Sequence, residues 1–363
     1  MAKVILKKIF NILLIVIIIA SVFLYPDWYK RQVHKIQGVY YVAQGDGYLR
    51  KKQFQKAINM YRHGLELYPE HYGAWFNLGN INVVYEDYYS SIDAYSKAIK
   101  YNPNYVLARM NYGIISAEKL GDFDSAIEQY NKIIEIQNKP VYIPFVFNNL
   151  RSYKTNIGLA YYNKGVAYRQ KAFYTDEDPE TRAQNLRKAI EAFKASTKIL
   201  KKDYDAMYNL ALAYHLDKDY NMAGVSYCKA IKLAPMNYEA HYNLAILLNH
   251  LKYYKEALKE MQKANSILTG GDENTSKSDY IFGVMGDVTK NILKDDDGVK
   301  YLEEEFKAKN QTADSGLIYI NGKVKATEDL DKVVTKNMAE CPSLSIFRDD
   351  EIYTDDDVPD MGW

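Results

Sequence analysis

Along most of this chain apolar residues recur three and four positions apart, the spacing that puts them on one face of a helix. Short polar stretches interrupt the pattern at nearly regular intervals, which predicts a series of helices joined by turns. Two segments break the rule. From Ile9 to Tyr25 the chain is apolar except for Asn11 and Ser21, with Lys3, Lys7 and Lys8 ahead of it. Near residue 320 the run Leu317-Ile-Tyr-Ile320, Asn321-Gly322, Lys323-Val-Lys325 is β-prone on both sides of an Asn-Gly pair. That pair favours a two-residue hairpin turn, and so small a hairpin must pack on neighbouring helices or on a partner.

The regular part has a period. Segments beginning at Gly38, Tyr72 and Val106 follow at 34-residue intervals, as do those beginning at Tyr204 and Tyr238. The second carries Trp75, Leu78, Gly79, Ser91, Tyr95, Ala98 and Pro103. The first carries Tyr41, Gly45, Tyr48, Ala57, Tyr61, Gly64 and Pro69 at corresponding places, and the fifth carries Leu210, Ala211, Tyr214, Ala223, Tyr227, Ala230 and Pro235. The sixth has Leu244, Ala245, Ala257, Met261 and Ala264. Lined up, the segments resemble the tetratricopeptide repeat from Gly38 to about Gly271. The resemblance implies an all-α solenoid of about six helix-turn-helix repeats. Small residues at the eighth and twentieth positions let the two helices of a repeat approach closely. An aromatic at the twenty-fourth fills the space beside them, and a closing proline ends the second helix. Each hairpin buries its apolar face against its neighbours.

Repeats one to three are expected over 38–140 and repeats four to six over 158–271. The third has one extra residue before Gly121 and Ile133 where a small residue is usual. The fourth has Tyr161, Gly165 and Tyr168, then resumes at Ala189 and Phe193 after an inter-helix turn lengthened by twelve residues around Thr175 to Pro179. Between the blocks, 141–157 reads as a helical joint extending the first helix of the fourth repeat. Residues 272–340 form the expected C-terminal cap. Its helical face runs through Ile281, Val284, Met285, Val288 and Ile292, with shorter helices at Val299 to Lys307 and Asp329 to Met338 and the hairpin between those two.

The N-terminal run approaches the ~20 residues that span a bilayer. It predicts a cytoplasmic leader at 1–8 and a transmembrane helix or signal anchor at 9–28, with Trp28 and Tyr29 at the far boundary. A cleaved signal peptide has the same charged start, but Ile18 spoils the small-residue pairing with Ala20. The expected arrangement is a single-pass membrane protein with the repeats outside the cytoplasm.

Composition adds three points. The 35 tyrosines demand a repeated structural position that takes an aromatic ring, which the repeat supplies. A formal charge of +1 with scattered basic residues excludes a nucleic-acid-binding stripe. The last fifteen residues, Asp349 to Trp363, carry seven acidic side chains, so 341–363 is expected to be a disordered acidic tail. Cys228 and Cys341 read as isolated, forming neither a zinc site nor a disulfide framework.

No catalytic motif emerges. Asp295-Asp-Asp297-Gly298 with Glu304 misses the calcium-loop register, the histidines lack metal spacing, and Gly45-Asp-Gly47 has no preceding strand. The expectation is a non-enzyme with no cofactor, metal or small-molecule substrate. The resemblance implies protein or peptide partners held in a groove lined by the first helices. Candidate partner-binding residues are Asn77, Asn111, Asn163, Asn209 and Asn243 at the sixth repeat position, where an amide offers donor and acceptor to a peptide backbone. Asn80 joins them, as do the aromatics Phe76, Tyr162, Tyr208 and Tyr242. A carboxylate clamp of the co-chaperone kind is rejected, because Phe76 replaces its lysine and the next repeat lacks the basic pair. The expected function is a membrane-anchored interaction scaffold for envelope assembly. Alternatives are a regulatory or substrate-presenting subunit of a membrane enzyme, or a secreted chaperone-like binder.

Overall fold

Hairpins of helices follow one another through a computed structural model that describes residues 24–138, 150–175, 178–269, 319–320, 323–324, 341 and 346–347. The chain divides into two compact units, Met1–Pro140 and Val141–Trp363. The first holds α1 (Pro26–Arg50), α2 (Phe54–Leu67), α3 (Tyr72–Val84), α4 (Tyr88–Tyr101), α5 (Val106–Lys119) and α6 (Phe123–Asn138). The second holds α7 (Leu150–Tyr174), α8 (Pro179–Ile199), α9 (Tyr204–Leu216), α10 (Tyr220–Leu233), α11 (Tyr238–His250) and α12 (Tyr254–Thr269). It also holds a two-stranded antiparallel ladder, β1 (Tyr319–Ile320) with β2 (Lys323–Val324). In that ladder Tyr319 pairs with Val324 and Ile320 with Lys323.

Within a hairpin the small residue at the eighth position lies under the ring at the twenty-fourth. A Cβ on Gly45 would meet the Tyr61 ring at 2.7 Å, on Gly79 the Tyr95 ring at 2.5 Å, and on Gly113 the Tyr130 ring at 2.7 Å. Gly165 stands the same way under Phe193, at 2.7 Å. These rings are fully buried, each contributing ~1.5–3 kcal/mol of hydrophobic stabilisation. In the sixth repeat the ring is replaced by Met261, whose flexible chain leaves room for the Cβ of Ala245.

The turn between the two helices of a repeat recurs with one left-handed residue. Lys52, Glu86, Lys218 and Lys252 have φ of 56°, 59°, 66° and 68°, and Gly121 in the third repeat has 68°. Aspartates then cap the second helices: Asp87 accepts from Ser90 N, Asp122 from Ser125 N and Asp219 from Met222 N, each at 3.1 Å. Those hydrogen bonds hold the exposed Asp87 carboxyl below the usual carboxylate range.

The fourth position of the repeat explains several departures from its pattern. Trp75 Nε1 donates to the carbonyl of Pro69 at 2.8 Å, tying the start of α3 to the proline that closed the repeat before. Arg109 Nε does the same to Pro103 at 2.9 Å, and His241 Nε2 to Pro235 at 3.0 Å. The N–H is retained while the side chain changes, and the facing residue on the second helix changes with it. Trp75 shares its surroundings with Ala94, Arg109 Nη1 donates to Gln129 at 2.6 Å, and His241 Nδ1 meets Glu260 at 2.6 Å.

Four expectations change. Among the described residues no helix is long and apolar enough to cross a membrane, which overturns the single-pass localisation. The expected span at 9–28 lies outside the described residues as far as Phe23. Its last part leads into α1, where Pro26 and Asp27 open a helix carrying Lys30, Arg31 and Lys35. The lengthened turn of the fourth repeat is mostly helix, because α7 continues to Tyr174 with Ala172 fully buried. Asp178 then caps α8 through Glu180 N and Thr181 N, with Pro179 at its first turn. Cys228 and Cys341 form a disulfide across 113 residues of chain, with Cα atoms 5.7 Å apart. Phe347 inserts where a Cβ on Gly224 would stand, and with Ile346 it joins the core of α8–α12, so this part of 341–363 is packed. The expected cap helices at 281–292, 299–307 and 329–338, and most of the joint at 141–157, lie outside the described residues.

Candidate functional site

The sixth-position asparagines reach backwards to the preceding repeat. In the first unit Asn77 Nδ2 donates to Asp46 Oδ1 at 3.0 Å and to the Tyr61 hydroxyl at 3.2 Å, while Tyr61 donates to the same carboxylate at 2.7 Å. One repeat on, Asn111 Nδ2 donates to Asn80 Oδ1 at 2.9 Å and to the Tyr95 hydroxyl at 3.4 Å, with Tyr95 donating to Asn80 at 2.8 Å. Burial, then the bond to Asp46, pushes the Tyr61 hydroxyl well above its usual range, and burial raises Tyr95 too.

The second unit uses a different acceptor. The ninth position, Asp46 and Asn80 in the first unit, is Val166 and Leu212 here, and neither can accept. Asn209 Nδ2 instead donates to the Tyr162 hydroxyl at 3.2 Å and to its own turn at Asp205 O, 2.8 Å. Asn243 Nδ2 donates to the Tyr208 hydroxyl at 2.8 Å and to Glu239 O at 2.9 Å. Tyr162, Asn209, Tyr208 and Asn243 thus run from the fourth repeat to the sixth. Asn163 and Tyr242 are half-buried on the same first helices, with Tyr242 against Met261 and Ala245.

The expected aromatics are engaged with neighbouring rings. Phe76 lies 5.1 Å edge-on from Tyr105 and 5.9 Å from Tyr95. Tyr162 meets Phe193 at 6.0 Å, and Tyr208 stacks on Tyr204 at 5.6 Å with planes 7° apart. Burial pushes the Tyr208 hydroxyl up from 10.0 to about 12, with Glu239 acting in the same direction.

A residue outside the expected set completes this face. Arg169, at the twelfth position of the fourth repeat, lines a cavity of about 240 Å³ with Gln170, Phe173 and Tyr174. Its Nε and the Oε1 of Gln170 are buried without a hydrogen-bond partner. The groups that bear on it electrostatically are Tyr162, Tyr208, Tyr174 and Tyr227, none of them a carboxylate. Arg109 differs, with Gln129 and Pro103 as partners and Glu128 and Glu135 nearby. The signal in sequence was an arginine where the repeats of the first unit have Leu49, Val83 and Ala117 and the fifth and sixth repeats have His215 and Asn249. In the first unit a cleft of about 410 Å³ between α2, α3 and α4 is floored by Trp75 and Leu78 and rimmed by Arg62, Glu66 and Asp93. Its tryptophan is covered by the Lys97 ammonium, 4.6 Å from the ring centre.

Models of the tetratricopeptide repeat match residues 42–84, 86–140 and 204–237. A BBSome complex member BBS4 homolog of Drosophila melanogaster is 25% identical over 234 residues, 63% of this chain and 41% of that protein. A UDP-N-acetylglucosamine–peptide N-acetylglucosaminyltransferase of Giardia intestinalis is 36% identical over 70 residues, 19% of this chain and 5% of that one. The chain thus spans less than half the length of these curated relatives. Similar solved structures include MamA, 22% identical over 55% of this chain and 92% of that one, with a TM-score of 0.43. The type IV pilus biogenesis factor PilW is 16% identical over 68% and 98%, TM-score 0.47. YrrB, a repeat protein with an unusual peptide-binding site, is 20% identical over 59% and 90%, TM-score 0.41. The matched stretches fall in both compact units of this chain.

Proposed function

We propose that the protein is a non-enzymatic interaction scaffold whose first helices form a groove for an extended or helical segment of a protein partner. Tetratricopeptide arrays mediate protein–protein interaction, and three stretches of this chain match their models. The observation that carries the reading is the state of the asparagines. Asn77, Asn111, Asn209 and Asn243 each spend Nδ2 within the array, and none of their Oδ1 atoms accepts from another described residue. The cross-links fix each amide in one orientation, so its carbonyl is a preorganised acceptor for a partner's backbone N–H. Asn80 is spent differently: its Oδ1 already accepts from Tyr95 and Asn111, which makes it a brace. Tyr208 and Tyr242, half-buried beside these amides, supply apolar contact of the kind that anchors interfaces.

Photo-crosslinking tests the groove. A photoreactive phenylalanine analogue replaces Tyr242 in one variant and exposed Lys232, on a second helix, in another. A partner captured from 242, not from 232, and lost on Asn209→Ala and Asn243→Ala is the expected result. Equal capture from both positions, or capture from 232 alone, refutes the groove.

A further inference from the structure

Arg169 is half-buried, with its Nε fully buried, and has no counter-ion among the described residues. Its Nε–H donates to nothing, the neighbouring Gln170 Oε1 accepts from nothing, and the two line one cavity. Buried polar groups need a partner, so a ligand that displaces water from this cavity must supply an acceptor to Arg169 and a donor to Gln170. The missing acceptor must suit a guanidinium, which favours a carboxylate gripped by two N–H groups. The missing donor must lie close to that carboxylate, as the backbone N–H of an acidic residue does. Burial lowers the proton affinity of Arg169 from its ordinary value, the direction expected of a cation stripped of water without an anion to replace it.

Its setting narrows the occupant further. Tyr162, Tyr208 and Tyr227 bear on the guanidinium from two successive repeats, so it lies within the tyrosine–asparagine run. A bound chain has acceptors to meet on the fifth- and sixth-repeat side of Arg169, at Asn209 and Asn243. Cation and aromatic rings together suit an acidic side chain flanked by apolar ones.

We infer that the first-helix face of the second unit is an acidic-peptide site, in which Arg169 pairs with an internal aspartate or glutamate side chain and Gln170 accepts from that residue's backbone N–H. The inference rests on the groove reading above and names the partner's chemistry.

The test uses the full chain, isotope-labelled, with the Arg169 Nε–H and tyrosine ring signals followed by NMR. Three acetylated probes are titrated: amidated Ala-Tyr-Leu-Glu-Leu-Tyr-Ala, the same peptide with Gln for Glu, and the Gln peptide with a free C-terminal carboxylate. The Glu peptide should move the Arg169 Nε–H and the Tyr208 ring together. The Gln peptide should bind about tenfold more weakly, the equivalent of one charge-assisted hydrogen bond. Arg169→Gln should abolish the preference for Glu, its fold checked by circular dichroism; if that variant does not fold, the Glu-against-Gln comparison on the wild type still decides. Equal binding of Glu and Gln peptides, with tyrosine signals moving and Arg169 still, overturns this inference while leaving the groove standing. Tighter binding of the free-carboxylate Gln peptide than of the Glu peptide overturns the internal side chain as the source. No movement with any probe overturns the groove and the inference together.

Discussion

Replacing His241 and Glu260 separately and together measures whether the fourth repeat position and its second-helix neighbour act as a unit. His241 is fully buried, with Nε2 3.0 Å from the Pro235 carbonyl and Nδ1 2.6 Å from Glu260. The carbonyl can only accept, so Nε2 donates to it and Nδ1 is left facing the Glu260 carboxylate. Lys263, partly exposed, reaches the other carboxylate oxygen at 2.8 Å. His241→Trp alone keeps a ring N–H toward Pro235 but removes the contact to Glu260 and strands a buried acid, a change that costs about 3–5 kcal/mol when one partner of a buried pair is lost. Lys263 remains to hold one oxygen, so the lower end applies. Glu260→Ala alone leaves Nδ1 unpaired and opens a void, costing about 2–3 kcal/mol. The second repeat already shows the alternative, with tryptophan at this position and Ala94 across from it. His241→Trp with Glu260→Ala should therefore lie within about 1 kcal/mol of wild type, since buried pairs are often replaced by packed apolar residues at no cost. Urea unfolding followed by circular dichroism reads all four proteins. If the double variant costs the sum of the singles, the two positions are not coupled and the reasoning fails.

Other perturbations test separate parts of the structure. Gly79→Ala drives a Cβ to 2.5 Å from the Tyr95 ring and should destabilise by about 1–3 kcal/mol in the same assay, whereas Ala245→Gly opposite Met261 should cost far less. Lys218→Gly removes a left-handed non-glycine residue at φ 66° and should raise stability by about 1 kcal/mol, read as a higher melting midpoint. Cys341→Ser frees a 113-residue loop and should cost about 4–5 kcal/mol by chain entropy, with cleavage near Phe347 by chymotrypsin rising in step. Alkaline titration should unfold the chain. The Tyr208 hydroxyl is raised from 10.0 to about 12, so the folded state holds its proton more tightly; its contribution is complete below 10.0 and is lost as pH climbs toward 12. Tyr61, Tyr95 and Tyr227 shift in the same direction through burial. Tyrosinate absorbance should rise together with loss of helix across that window, and ionisation with helix intact would contradict it.

The repeat was legible because it is written in residues with a single physical use. A glycine in the middle of a helix under a buried ring, as Gly79 is under Tyr95, has no cheaper explanation than close approach. Lysine at a left-handed turn carries no such mark, so Lys52, Lys218 and Lys252 gave no warning in sequence. His241 and Arg109 looked like departures because a pattern of residue types hides the retained N–H. The disulfide depends on a distant segment returning to α10, which no local spacing reports. At the candidate site the asparagines were visible but their amide nitrogens were not seen to be spent. Arg169 stood out in sequence only as a departure at the twelfth position, since a missing counter-ion is a property of three-dimensional surroundings.

The change at the ninth position links these observations. Where Asp46 or Asn80 stands there, the next asparagine and the second-helix tyrosine share one acceptor, and both hydroxyl and amide are consumed in holding repeats together. Where Val166 or Leu212 stands there, the asparagine turns to the fifth-position tyrosine. The second-helix Tyr227 then finds His215 at 3.2 Å. The brace thus moves from the second helix to the first, and the first-helix face gains hydroxyls fixed in place. The same substitution removes the only carboxylate that the first unit presents at that position, where an acidic ligand would be repelled by Asp46. The second unit thus has Arg169 and the Tyr162 and Tyr208 hydroxyls on its first helices, where the first unit has Asp46 at the ninth position. The two units, each built of the same helical hairpins, therefore present different charge on their first helices through a handful of positions.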